Sequence, residues 1–78
     1  MQKLLDRITL DPEVLAGKPI IRGMRISVEQ ILKALGNNVP IDDLLADYPD
    51  LERADILACL QYASRLVADE RIYPVGAA

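Results

Sequence analysis

Histidine, tryptophan and phenylalanine are absent from this chain of 78 residues, and cysteine occurs once. Without histidine, the side chain that most often moves protons or holds a transition metal at neutral pH is missing. The lone Cys59 excludes an internal disulfide, which suits a reducing compartment. No apolar run approaches the ~20 residues needed to span a bilayer, and no basic-then-apolar leader opens the chain, so a cytoplasmic protein with no membrane partner is expected. Ser27 and Ser64 have no base near them in sequence. Gly17, Gly23 and Gly36 do not fall at the spacing of a phosphate-binding loop. Asp42, Asp43 and Asp47 read more simply as a solvated first turn of a helix than as a cation site, because no further oxygen ligand is indicated. These gaps point away from an enzyme, and no metal or other cofactor is expected.

What is present is aliphatic. Hydrophobic residues make up 51% of the chain, enough for one folded domain. A chain this short buries only ~60% of its unfolded surface. The apolar excess therefore suggests a partner, or a second copy, that covers part of it. The net charge of −3 is unevenly spread. Residues 1–36 carry +2 and residues 37–78 carry −5, a mildly basic front and an acidic back.

Arg7–Leu10 alternates like a short half-buried strand. Asp11-Pro12 reads as a cap followed by one helical turn through Ala16, stopped at Gly17. The segment "PIIRGMRISV" reads as a β-hairpin turning at Gly23-Met24, with glycine in the first central position of a type II′ turn. Ser27 and Gln30 form a capping-box pattern ahead of Val28, Ile31, Leu32 and Leu35 at helical spacing, and Gly36 is the expected left-handed stop. A second helix begins after Pro40 with Ile41, Leu44 and Leu45 on its inner side, and Tyr48-Pro49 closes it. A third and longest helix runs from about Glu52 to about Ala68. Its apolar arc spans roughly half the circumference, with Ile56, Leu60, Ala63 and Val67 as the central stripe. Leu57, Cys59 and Leu66 flank that stripe and are the candidate contacts to a second subunit or a partner. The expected fold is mainly α: a three-helix, helix-turn-helix-like bundle (28–68) behind a short N-terminal β-hairpin layer (1–27), with a tail (69–78).

The stretch "GKPIIRGMRIS" gathers Lys18, Arg22 and Arg25 around Gly23 in an otherwise acidic protein. Two readings of these side chains stay open. Either Arg22 and Arg25 are paired with Asp6, Asp11 or Glu13 in the N-terminal layer, or the group forms an edge that touches an anionic partner. For DNA the usual helix is badly charged. The start of the third helix presents Asp50, Glu52 and Asp55 against Arg53, so any DNA contact would fall to the basic turn. For a protein partner, arginine forks match the clustered carboxylates of a metal-dependent nuclease.

"ITLDPEVLAGKPIIRGMRISVEQILKAL" followed by "DLLADYPDLERADILACLQYA" resembles the bacterial family called domain of unknown function 433, across Ile8 to about Ala68. Asp11-Pro12, Gly17-Lys18-Pro19, Ile21-Arg22-Gly23, Arg25-Ile26 and Tyr48-Pro49-Asp50 fall in order. Met24 stands where that family usually has threonine, and Val39 where a capping Ser or Asn is common. The resemblance implies a helix-turn-helix-like (homeodomain-like) fold and an antitoxin role, with a small PIN-like nuclease as partner. Lys18, Arg22, Gly23 and Arg25 are its motif positions, and no catalytic role is implied for them. The resulting expectation is a homodimeric antitoxin-like protein that neutralises such a nuclease and represses its own operon. The alternatives are a DNA-binding regulator without a toxin, and a structural interaction module.

Overall fold

The computed structural model describes residues 3–69. Two three-residue strands, β1 (Ile8–Leu10) and β2 (Pro19–Ile21), pair antiparallel with Ile8 opposite Ile21 and Leu10 opposite Pro19. Three helices follow: α1 (Val28–Gly36), α2 (Ile41–Asp47) and α3 (Arg53–Asp69). The protein is therefore mainly α, with a small two-stranded sheet ahead of three helices.

The strands are short because the chain between them does other work. Asp11 folds back on the backbone, its Oδ1 accepting from the Glu13 amide at 2.9 Å. The single turn after it is a 3-10 turn, Leu15–Gly17, of the opposite hand to the expected helix. Leu15, Ala16 and Gly17 all have positive φ, at 49°, 58° and 81°. Glycine accommodates this freely, whereas each residue with a Cβ is strained by roughly 1–2 kcal/mol.

The hairpin also differs from its expected form. The partner of β2 is β1, and the second arm of the basic segment returns to β2 only through the Ile20–Ser27 bridge and the Ile21 amide to Ile26 carbonyl bond of 3.0 Å. The turn sits one residue earlier than predicted. The Met24 amide donates to the Ile21 carbonyl at 2.7 Å, so the central residues are Arg22 and Gly23. Both have positive φ, 44° and 72°, which is the type I′ pattern and not II′.

The capping box opens α1 as the sequence predicts. The Ser27 hydroxyl accepts from the Gln30 amide at 2.9 Å, and the Gln30 side chain accepts from the Ser27 amide at 3.4 Å. At the other end, Gly36 is still helical, and Asn38, at φ 68°, takes the left-handed position instead. Asparagine is among the few residues with a Cβ that adopt it readily.

Seven residues from five segments form the core: Ile21, Val28, Ile31, Leu44, Leu51, Ile56 and Cys59. Ile31 and Ile56 have no exposed surface. Burying such a side chain stabilises the fold by about 1.5–3 kcal/mol. Tyr48 and Tyr62 pack at its margin. Helix α3 is the spine, touching α1, α2, β1 and the 3-10 turn Leu4–Arg7. Its buried residues, Asp55, Ile56, Ala58 and Cys59, all lie in its first half.

Candidate functional site

One charged residue in α3 belongs to the buried line of that helix. Asp55, Cys59, Tyr62 and Leu66 follow one another at steps of three and four, so they share a face. Asp55 has no exposed surface. A buried carboxylate of this kind must be paired and hydrogen-bonded. Arg22 supplies two bonds side-on, Nε to Oδ1 at 2.9 Å and Nη2 to Oδ2 at 2.8 Å. Arg7 Nη1 donates to Oδ1 at 3.0 Å. The Glu52 amide donates to Oδ2 at 2.8 Å, so the same carboxylate caps the start of α3. Burial pushes the Asp55 carboxyl up, but the bonds from Arg22, the Glu52 amide and Arg7 outweigh it and hold it below the usual range.

The cluster extends outward. Arg7 Nη1 also meets Glu52 Oε1 at 2.7 Å, and Arg22 Nη2 donates to the Asp50 carbonyl at 2.8 Å. These bonds tie the N-terminal layer and the basic turn to the loop between α2 and α3. The type I′ turn aims Arg22 inward, and Gly23, whose amide donates to Thr9 Oγ1 at 3.1 Å, lets the turn close.

The four basic-turn positions therefore separate. Arg22 is an internal strut, paired not with a neighbouring acid of its own layer but with Asp55, 33 residues away. It is not available as a cationic contact without breaking that pair. Gly23 shapes the turn. Lys18 Nζ meets Glu29 Oε1 of α1 at 2.7 Å, an exposed pair of the kind that contributes ~0–1 kcal/mol. Arg25 is exposed and makes no ion pair among the described residues.

On α3 the three candidate contacts also separate. Leu57 is 45% exposed and Leu66 52%. Cys59 has no exposed surface and sits in the core, so it is corrected from a contact to a packing residue. Burial, with the Asp55 charge beside it, raises its thiol to about 11. Two residues of the stripe expected at the centre of the apolar arc are exposed instead, Leu60 at 43% and Val67 at 71%, because the buried line of α3 runs through Asp55, Ile56, Ala58 and Cys59. At 100° per residue Leu57 and Leu60 share the outer face of α3, while Leu66 lies about a third to half a turn away, on the side facing α1. The tail segment Arg71–Val75, read from sequence as a strand or loose end, lies outside the described residues.

The acidic start of α3 is only in part as the sequence predicts, since Asp55 is buried in its pair with Arg22. Asp50 and Glu52 are exposed, and Arg53 Nη2 is engaged with Asp42 Oδ1 at 2.9 Å. Among the described residues no cluster of three His, Cys, Asp or Glu side chains could hold a metal ion, and no helix is long and apolar enough to cross a membrane.

A family profile described as protein of unknown function (DUF433) matches residues 8–63. The chain belongs to that family. The match runs from β1 to the middle of α3, and so contains every member of the Arg22–Asp55 cluster except Arg7, which directly precedes it. No curated protein and no solved structure matches this DUF433 chain.

Proposed function

We propose that this DUF433 protein is a non-enzymatic, antitoxin-like binding protein whose partner is another protein, a PIN-like nuclease. The observation that carries this reading is the outer face of α3, where Leu57 and Leu60 stand nearly half exposed on a helix whose first half is anchored in the core. Isolated exposed leucines are ordinary. Two on one helical face, one turn apart, are what an amphipathic recognition helix offers a partner groove. Arg25 adds a guanidinium fork for carboxylates, the groups that a metal-dependent nuclease gathers.

DNA binding is the second reading, and the charge at the start of α3 weighs against it. A helix-turn-helix enters the major groove with that end, and here Asp50 and Glu52 would meet phosphates while Arg53 is held by Asp42. A DNA contact through the turn would rest on Arg25 and Lys18 alone, and two phosphate contacts per chain give weak, salt-sensitive binding.

Co-expression with the product of the adjacent gene tests the proposal. A complex that survives purification, and that Leu57→Asp/Leu60→Asp abolishes while the variant stays folded, is the expected outcome. A full complex with that variant removes the α3 face from the mechanism. A gel shift on upstream DNA that fades with salt and with Arg25→Ala would favour the regulator instead.

A further inference from the structure

Beside the outer face of α3 lies a separate feature, an open apolar groove of about 610 Å³ between α1 and α3. Val28 and Leu32 form one wall, and Tyr62, Ala63, Leu66 and Val67 the other. We propose that this groove is the contact between two copies of the chain, joined about a two-fold axis that crosses it at right angles and lays α1 on α1 and α3 on α3, each pair antiparallel.

Two features favour a second copy over a foreign occupant. The first is charge. Glu29 and Lys33 edge the groove on the α1 side, one helical turn apart and opposite in sign. An antiparallel α1 pair places Glu29 of each copy against Lys33 of the other, so the edge is complementary to itself. Lys33 makes no ion pair among the described residues, and Glu29 holds only the exposed Lys18. The second is shape. On α3 the small Ala63 lies one turn before the large Leu66, and Tyr62 lies five positions before Val67. Reversing the helix about its own groove sets Leu66 over Ala63 and Val67 over Tyr62, large against small and aliphatic against aromatic. Leu66 and Val67, 52% and 71% exposed, are then covered by the operation that fills the groove.

The groove engages far fewer than the ~20–30 residues a side of a standard interface, so the dimer should be reversible, with a dissociation constant in the micromolar range. This inference does not depend on the nuclease. It concerns the chain alone and can hold when the proposed partner fails to bind.

Sedimentation equilibrium of the full chain from about 1 to about 500 µM tests it. The expected result is a monomer–dimer equilibrium that Leu66→Asp weakens by at least about tenfold. Lys33→Glu should weaken it about threefold to tenfold by setting Glu29 against glutamate, and the swap Glu29→Lys/Lys33→Glu should restore it. Only a direct Glu29–Lys33 contact between copies predicts that rescue. The far-ultraviolet circular dichroism of each variant shows that it is folded. A monomer throughout the range overturns the proposal, whether the groove is then covered by a foreign protein or by residues 70–78. A dimer indifferent to both Leu66→Asp and Lys33→Glu overturns it equally, by placing the contact elsewhere.

Discussion

Arg22 and Asp55, 33 residues apart, meet through two hydrogen bonds of 2.9 and 2.8 Å, and this pair joins the basic turn to the longest helix. Each end is specialised for it. Arg22 occupies a left-handed backbone position that a long side chain adopts at a cost, and Asp55 places a charge among the buried residues of α3. The strain and the desolvation are both offset at one point, where four donors converge on one carboxylate.

Replacing that carboxylate should be among the most damaging single changes to the fold. Asp55→Asn keeps the shape but removes the charge that two guanidinium groups face. Breaking a buried pair of this kind costs about 3–5 kcal/mol, and the lower end applies here because Arg7 and Arg22 are partly solvated, at 18% and 35% exposure. Urea unfolding at pH 7 should register it as a lower midpoint with an unchanged slope. The wild type should show the same dependence in acid. Asp55 has a lower pKa folded than its ordinary 3.8, so its contribution is fully present above that value. It is lost as the pH falls below 3.8 through the folded pKa. The Asn variant should lack this acid-dependent loss. If its stability fell with acid in parallel with the wild type, Asp55 would not be the group responsible.

Arg22 and Arg25 look equivalent in sequence, but their substitutions should separate stability from binding. Arg22→Ala removes three charge-assisted bonds, two to Asp55 and one to the Asp50 carbonyl, and should cost about 3 kcal/mol. Arg22→Lys should recover only part of this, because an ammonium cannot form the side-on fork. Arg25→Ala, on an exposed side chain with no ion pair among the described residues, should stay within about 0.5 kcal/mol of wild type. Any loss of partner or nucleic-acid binding in Arg25→Ala is then a contact effect. Thermal melts beside a binding assay distinguish the two. A melt of Arg25→Ala lowered as far as that of Arg22→Ala would contradict the assignment.

How much of this could be read in advance divides by distance along the chain. The Ser27–Gln30 capping box, the apolar spacing of α1 and the extent of α3 depend on neighbours within one or two turns, and they were legible. The reversed 3-10 turn at Leu15–Gly17 was not, since two non-glycine residues were placed where local preference opposes them. The shift of the turn onto Arg22 has the same origin. Local rules put glycine first, whereas the bond from Arg22 to Asp55 selects the register that aims Arg22 inward. The sequence did contain a signal for the partner. Asp55 falls on the same helical line as Cys59, Tyr62 and Leu66, and a charge on a buried line implies an opposite charge brought from elsewhere. Which arginine answers it depends on tertiary contacts between residues 33 and 48 positions apart, and no local pattern encodes those.

Gly23 should be required for its backbone and not for the space it leaves. Its φ is +72°, and a Cβ built there meets nothing within 4 Å. Gly23→Ala should therefore cost only the conformational strain, about 1–2 kcal/mol. Gly23→Asn should cost less, because asparagine tolerates the left-handed region. Equal losses for Ala and Asn would mean that the side chain clashes after all.

Cys59 should behave as a packing residue whose chemistry reports on the integrity of α3. Its thiol is fully buried, and burial together with the Asp55 charge raises it from 9.0 to about 11. At pH 8 almost none of it is thiolate in the folded chain, and no reagent reaches it without opening of the core. A chromogenic disulfide should react slowly in native buffer and promptly in urea, with a native-state rate that follows the population of the opened form. The raised folded pKa also fixes an alkaline limit. The stability gained by keeping this thiol neutral is complete below 9.0 and is lost as the pH climbs through about 11. Prompt modification under native conditions at pH 8 would show that the first half of α3 is not held closed, and would undo the assignment of Cys59 to the core.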